Sequence, residues 1–138
     1  MKVVVDTNVV IAAFATHGLC HLVFEAIIAH HQIVLSPFLL QEVSSNLKKK
    51  IKLPEERVKE ILIFLKRHGS PLVKDRTVEG IKCRDPEDLK ILALAVNAKA
   101  DAIVTGDQDL LVLKTIRATI IVSPREFWDM LRRMSENI

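Results

Sequence analysis

The sequence is poor in cysteine, glycine and aromatic residues, and these shortages exclude several classes of protein. The two cysteines, Cys20 and Cys83, have neither metal-binding spacing nor a disulfide pattern, so we expect reduced thiols and a cytoplasmic protein. Four glycines provide no P-loop and no dinucleotide-binding fingerprint. With no tyrosine and one tryptophan, recognition of bases by stacking is expected to be sparse, and lysine and arginine would hold a polyanion by its phosphates.

Long apolar runs and a large net charge are also missing. No run approaches the roughly 20 residues of a membrane span, and the first residues show no signal-peptide pattern, so we expect no membrane association. Twenty basic residues against 17 acidic ones give a net charge of +3, which permits a nucleic-acid partner without requiring one. The 138 residues, 49% of them hydrophobic, predict one domain over 1–138 with a single core.

Short apolar strands alternate with helices along the chain. The predicted strands are residues 2–5, 32–35, 71–74, 102–104 and 118–122. The predicted helices are residues 9–14, 19–30, 36–50, 55–68, 85–96 and 124–134, with a loop at 75–82. This order predicts an α/β fold with three layers, in which helices cover both faces of a parallel sheet of about five strands.

Carboxylates are placed at the ends of these predicted elements. Asp6 follows the first strand, and Asp107 follows the strand at 102–104. In open parallel sheets, ligands bind beyond the carboxyl ends of the strands, where the strand order reverses. If these two strands are neighbours at that point, their acids face one crevice. Unpaired carboxylates so close would repel each other unless a divalent cation bound them, and oxygen ligands favour Mg²⁺ or Mn²⁺.

Each acid also has a simpler explanation when it is taken alone. Helix caps, turn caps, helix-dipole partners and exposed surface groups together account for Asp6, Glu42, Asp85, Asp88, Asp107 and Asp109. The prediction of a functional site therefore depends on the combination of the acids.

Four short segments carry a resemblance to a known family. They are Asp6-Thr7-Asn8, Gln41-Glu42-Val43, Asp85-Pro86-Glu87-Asp88 and Thr105-Gly106-Asp107-Gln108-Asp109. In this order, over nearly the whole chain, they resemble the PIN-domain family, and most closely its toxin components of toxin–antitoxin pairs, similar to VapC-type ribonucleases. The chain has Thr-Gly-Asp where many of these proteins have Thr-Arg-Asp, so a basic residue is absent at Gly106.

The resemblance implies roles for individual residues. The catalytic and metal-binding quartet would be Asp6, Glu42, Asp88 and Asp107, with Asp109 as a further metal ligand. Hydrogen bonds that orient these carboxylates would involve Thr7, Asn8, Asp85 and Thr105. Separately, the basic side chains that could contact phosphate are Lys48, Lys49, Lys50, Lys52, Lys82 and Arg84.

The function implied by the resemblance is a Mg²⁺- or Mn²⁺-dependent endoribonuclease. It would cleave single-stranded RNA with a metal-activated water, act as a toxin restrained by an antitoxin, and form a homodimer. Two alternatives stay open: a non-catalytic PIN-like module that binds RNA or protein, and a phosphatase of the haloacid dehalogenase type with Asp6 as nucleophile. The phosphatase would need a second Asp at position 8, which is Asn8. A structure with Glu42 and Asp6 on opposite sides of the sheet would contradict the nuclease hypothesis.

Overall fold

The computed structural model describes residues 1–136, which contain five strands and seven helices. The strands are β1 (Lys2–Val5), β2 (Gln32–Ile33), β3 (Ala102–Val104), β4 (Thr115–Ile116) and β5 (Thr119–Val122). The helices are α1 (Thr7–Ala15), α2 (Leu19–His30), α3 (Pro37–Lys49), α4 (Glu55–His68), α5 (Pro86–Ala98), α6 (Gln108–Leu111) and α7 (Pro124–Glu136).

The strands form one sheet in the order β2-β1-β3-β5-β4, parallel except for the antiparallel pair of β4 and β5. Val3, Val4 and Val5 of β1 are fully buried, and so are all three residues of β3. Strands buried on both faces need helices on both faces. The predicted three-layer α/β/α fold with a sheet of about five strands is therefore confirmed, whereas the sheet is not parallel throughout as predicted, because β4 is antiparallel to β5.

The strand predicted at residues 71–74 is wrong. This segment is extended and runs beside the end of β2, where the Ser70 N–H donates to the Ile33 carbonyl and the Val73 N–H to the Leu35 carbonyl. Pro71 has no N–H, and the Leu35 N–H is taken by the Ser70 hydroxyl, so no continuous ladder forms.

The sequence analysis also missed β4, the strand that completes the sheet. β4 and β5 form a hairpin whose turn contains Arg117 at φ 52°. Hairpin turns with left-handed residues usually carry Gly, Asn or Asp, and no such residue marks this turn. An edge strand of two residues without a turn signal has too little pattern to be predicted.

Helix starts follow the predicted capping chemistry. The Ser36 hydroxyl accepts a hydrogen bond from the N–H of the third residue of α3, and Asp85 Oδ1 accepts one from the second residue of α5. Ser123 and Glu126 form the predicted capping box of α7, with both reciprocal bonds at 3.1 Å. These caps set the directions in which α3 and α5 leave the sheet.

Helix length bears on the expectation of no membrane association. Within residues 1–136, no single helix is long and apolar enough to cross a bilayer. Helices α1 and α2 pass that test only as a pair, with a bend of 105° between them.

The order of the strands reverses between β1 and β3, which lie side by side. Val5 pairs with Val104, and the Asp6 N–H donates to the Val104 carbonyl at 2.9 Å. The residues that follow the two strands, Asp6 and Thr105, therefore emerge together at the carboxyl edge of the sheet, where ligands bind in folds of this type.

Candidate active site

A cleft of about 360 Å³ opens at this edge of the sheet, and carboxylates from four separate segments line it. Asp6 comes from the end of β1, Glu42 from the middle of α3, Asp88 from the first turn of α5, and Asp107 from the residues after β3. The segments are far apart in the chain, and the sheet and its helices bring them together. Glu42 thus lies on the same side of the sheet as Asp6.

Asp6 and Asp107 are connected through Thr105, which is fully buried. The Thr105 hydroxyl donates to Asp6 Oδ2 at 2.7 Å and accepts the Asp107 N–H at 3.0 Å. Although Asp6 is the residue before α1, its side chain does not cap that helix. Burial raises the pKa of Asp6 above its ordinary value, against the hydrogen bond from Thr105, which lowers it.

Asp88 is the most deeply buried acid of the cleft, with 6% of its surface exposed. Its Oδ2 atom is buried and has no hydrogen-bond partner among the described residues. Burial, and next the negative charge of Asp107, raise the pKa of Asp88 to about 7. Asp88 is in the first turn of α5, where the N-terminal dipole favours an acid, but one of its carboxylate oxygens lies within 4.8 Å of oxygens of Asp107 and Asp109. A simple helix-stabilising role does not explain a buried carboxylate that lacks a partner.

Asp88, Asp107 and Asp109 form the tightest acidic group found in residues 1–136, with one carboxylate oxygen from each within 4.8 Å of the others. Asp6 and Glu42 border the cleft but are not part of this trio. Asp107 Oδ1 also accepts the Asp109 N–H at 2.9 Å, which starts the short helix α6. Asp107 is therefore both a turn cap and a cleft residue, so the two explanations are compatible.

Asp109 is held by an arginine that the sequence analysis assigned to phosphate. Arg84 Nη2 donates to both carboxylate oxygens of Asp109, at 3.1 and 2.9 Å. The Arg84 side chain is 85% exposed and that of Asp109 44%, and neither residue lines the cleft. Because an Asp109 oxygen lies within 4.8 Å of oxygens of Asp88 and Asp107, the pair is at the rim of the cleft. An exposed pair of this kind contributes little to stability.

The residues predicted to hydrogen-bond and to contact RNA are distributed unevenly. Thr7, Asn8 and Asp85 line the cleft. Among the predicted basic residues only Lys50 does so. The structure does not bring the other lysines into the cleft lining: Lys48, Lys49, Lys52 and Lys82.

The cleft also contains residues that the sequence analysis did not single out as functional. Phe38, Asn46 and Glu87 line it beside the acids. The helical spacing could have indicated Phe38 and Asn46, because they are four residues before and four residues after Glu42 and therefore share its face of α3.

The donor set of the cleft fits a hard divalent cation. All the acidic ligands offered are carboxylate oxygens, which Mg²⁺ and Mn²⁺ prefer, and no Cys or His belongs to the close trio. The buried Asp88 Oδ2 without a partner is the group that such a cation would satisfy.

Comparisons with known proteins agree with the fold. The family model described as "PIN domain" matches residues 2–109, which include all the acids named above. Since the match covers most of the chain, the protein belongs to the PIN domain family.

A solved structure shares this fold. It is the crystal structure of VapBC2 from Rickettsia felis bound to a DNA fragment from their promoter, and a chain of it aligns with a TM-score of 0.62 and 21% sequence identity. The alignment covers 89% of this protein and 98% of that chain. No curated protein sequence gives a significant match.

Proposed function

We propose that this PIN-domain protein is an endoribonuclease that requires Mg²⁺ or Mn²⁺ and cleaves single-stranded RNA. The observation that carries the proposal is the meeting of Asp6, Glu42, Asp88 and Asp107 in one cleft, where a buried oxygen of Asp88 has no hydrogen-bond partner within residues 1–136. A cluster of acids with an unsatisfied buried oxygen is costly for a protein without a ligand, so the arrangement favours a function that involves a cation.

The residues of the cleft have separate tasks in this proposal. Asp88 and Asp107 would hold the cation, and Asp6 and Glu42 would complete its binding from the other walls. A cation bound by these residues would supply Lewis-acid chemistry, namely polarisation of a phosphodiester and a lower pKa for a water molecule. Thr105 fixes the Asp6 carboxylate through its 2.7 Å hydrogen bond, so that the acid is oriented before the substrate arrives.

Asp109 takes a secondary place because Arg84 already binds it. We propose that Asp109 contributes to cation binding through its charge and that Arg84 keeps it at the rim. Arg84 still carries an exposed guanidinium beside the acids, where a phosphate of the substrate can share it with Asp109.

The biological setting is part of the same proposal. VapBC2 is a complex bound to promoter DNA, and the fold shared with one of its chains suggests that this protein acts as the toxin of a toxin–antitoxin pair. We further propose a homodimer in the cytoplasm, where an RNA substrate is present and where the free thiols of Cys20 and Cys83 stay reduced.

Cleavage of a 5′-labelled, mixed-sequence single-stranded RNA tests the proposal. We expect cleavage with Mg²⁺ or Mn²⁺ and none with EDTA. In Asp6→Asn we expect the cleavage rate to fall at least 100-fold, because the substitution removes one ligand charge and changes the group that accepts the Thr105 hydrogen bond. Asp129→Asn on α7 makes the same chemical change outside the cleft and should retain the wild-type rate. Cleavage that persists in EDTA, or in Asp6→Asn, would contradict the proposal.

The non-catalytic module is the alternative outcome of that experiment. RNA or protein binding by protein that neither cleaves RNA nor binds Mn²⁺ would favour it. The phosphatase hypothesis loses its basis, because the chain belongs to the PIN family and has Asn8 where that mechanism needs an acid.

A further inference from the structure

One face of α3, continued by Lys50 directly after the helix, supplies a row of four different side chains to the acidic cleft. Phe38, Glu42, Asn46 and Lys50 recur every fourth position, and all four line the cleft. With a rise of about 1.5 Å per residue, neighbours in this row are about 6 Å apart along the helix. The row therefore presents an aromatic ring, an acid, an amide and a cation in sequence along one wall.

Phe38 is the apolar member of this row, and like the exposed Phe64 it is not part of the hydrophobic core. Phe24 and Phe127 are buried in the hydrophobic core, and Phe14 packs against it. Phe38 is only partly buried, lies outside that core and borders the cleft instead. Its ring consequently needs another explanation than hydrophobic packing.

Phe38 is also held in place from two sides. Lys90 Nζ of α5 lies 4.1 Å from the centroid of its ring, a cation–π contact that covers part of the ring surface. Its backbone N–H donates to Asp75 Oδ2 at 2.8 Å, which ties the start of α3 to the loop before α5. The hydrogen bond holds the backbone of Phe38 and the Lys90 contact holds its ring, and an aromatic ring so placed at the wall of a polar cleft is suited to stacking on a flat ligand group.

Lys50 supplies a positive charge at the opposite end of the row. Glu42, near the middle, belongs to the acid cluster that would act on the phosphodiester. Eight residues separate Glu42 from Lys50, about 12 Å along the helix. A polyanion in a cleft rich in carboxylates needs such a charge beyond the acids to hold a neighbouring phosphate.

We propose that this face of α3 is the binding track for the single-stranded substrate: Phe38 stacks on a base on one side of the scissile phosphate, and Lys50 binds a backbone phosphate on the other. Asn46, between Glu42 and Lys50, contacts a sugar or base edge. This inference rests on the proposed ribonuclease function and adds to it a direction and a base-stacking position for the RNA. Stacking on Phe38 requires a base that is not stacked on neighbours in a duplex, which selects single strands.

The test measures binding separately from cleavage. Fluorescence anisotropy of a labelled RNA heptamer is recorded with Ca²⁺ in place of Mg²⁺, and the RNA is checked for integrity after each titration. We expect Phe38→Leu to bind about 10-fold more weakly, since loss of one base–aromatic stack costs this order of affinity, and Phe38→Trp to bind like the wild type. Phe64→Leu changes an exposed phenylalanine outside the cleft and should bind like the wild type.

An abasic scan shows whether the ring contacts a base. Heptamers with one abasic position each should reveal a single position that costs wild-type protein about 10-fold in affinity and costs Phe38→Leu almost nothing. A purely structural effect of the substitution would weaken all heptamers equally. For Lys50→Gln we expect the slope of log affinity against log salt to fall by about 0.7, whereas Lys59→Gln on α4 should leave it unchanged.

Each result decides for or against the track. Equal losses at all abasic positions, unchanged binding by Phe38→Leu, or no binding of RNA by the wild type would overturn it. The cleavage assay distinguishes this failure from a failure of the proposed function. If the wild type cleaves RNA and Phe38→Leu binds RNA normally, the binding track is refuted but the nuclease is not. If cleavage persists in EDTA, the proposed metal-dependent nuclease is refuted.

Discussion

Asp88→Asn should make the metal-free protein more stable, although Asp88 is a proposed metal ligand. Asp88 is 6% exposed, its Oδ2 has no hydrogen-bond partner among the described residues, and it faces the charge of Asp107. Asparagine has nearly the same shape without the charge. The substitution therefore removes the repulsion among the acids of the cleft while keeping the packing at the start of α5.

The direction of the pH dependence follows from the raised pKa. Below pH 3.8, Asp88 is protonated in the folded and the unfolded chain alike and has no effect on stability. Between 3.8 and about 7 the folded protein binds one proton more than the unfolded chain, so its free energy of unfolding falls as pH rises. Above pH 7, Asp88 is ionised in the folded and the unfolded chain alike, and the full loss of unfolding free energy caused by its charge is present. The advantage of Asp88→Asn should accordingly be absent at pH 4 and complete at pH 8.

The size of the effect can be bounded. At about 1.4 kcal/mol per pKa unit, a shift of about three units sets an upper limit of about 4 kcal/mol. The acids of the cleft share the repulsion and can relax, so we expect about 2 kcal/mol in EDTA at pH 8. For a domain of this size that corresponds to a rise in Tm of about 4–8 °C.

Divalent cation should reverse the order of stability. At a concentration 100 times its Kd, Mn²⁺ stabilises the wild type by about 2.7 kcal/mol, and Asp88→Asn should lose most of this gain because it lacks a ligand charge. Thermal unfolding is followed by circular dichroism at pH 4 and pH 8, with EDTA and with Mn²⁺, beside Asp129→Asn. If Asp88→Asn is less stable than the wild type in EDTA at pH 8, the account of charge repulsion is wrong.

Two further substitutions test the surroundings of the acids. Thr105→Val removes the hydroxyl that donates to Asp6 Oδ2, so we expect the Mn²⁺ affinity measured by calorimetry to fall 10- to 100-fold. Thr105→Ser keeps the hydroxyl and should bind Mn²⁺ nearly as the wild type does. Equal losses of affinity in both variants would exclude the hydroxyl as the cause. Gly106→Arg should fold normally, because a Cβ at Gly106 meets no atom within 4 Å. We expect it to bind RNA more tightly, with a slope of log affinity against log salt that is steeper by about 0.7. A destabilised variant, or an unchanged slope, would count against this reasoning.

Much of the fold was predictable because its strong signals are local. Ser36 with Pro37, and Asp85 with Pro86, mark helix starts by capping chemistry that acts within one turn. The buried runs of β1 and β3 are apolar throughout, as strands covered on both faces must be. The strand predicted at residues 71–74 was wrong because an apolar, extended segment beside the edge of a sheet resembles a strand in sequence. Only its hydrogen-bonding partners show whether such a segment joins the sheet.

The acidic residues of the site were found by their position after strands and by resemblance, whereas their partners were not. Asp109 was assigned to the metal and Arg84 to phosphate, yet the two bind each other. The contact between Arg84 and Asp109 joins residues 25 positions apart. It depends on how the fold places the loop before α5 beside α6, and no local sequence pattern indicates that placement. Phe38 was overlooked for the opposite reason, because an aromatic residue on an amphipathic helix is usually a core residue.

The central claim is that the buried carboxylate of Asp88 holds a divalent cation together with Asp107. The most direct measurement is a crystal structure of the protein grown with Mn²⁺, with the anomalous signal of the metal recorded. The account predicts an anomalous peak in the cleft, about 2.0–2.2 Å from Asp88 Oδ2 and from an oxygen of Asp107. A cleft without a peak at saturating Mn²⁺, or a metal bound elsewhere with Asp88 still unpartnered, would contradict it.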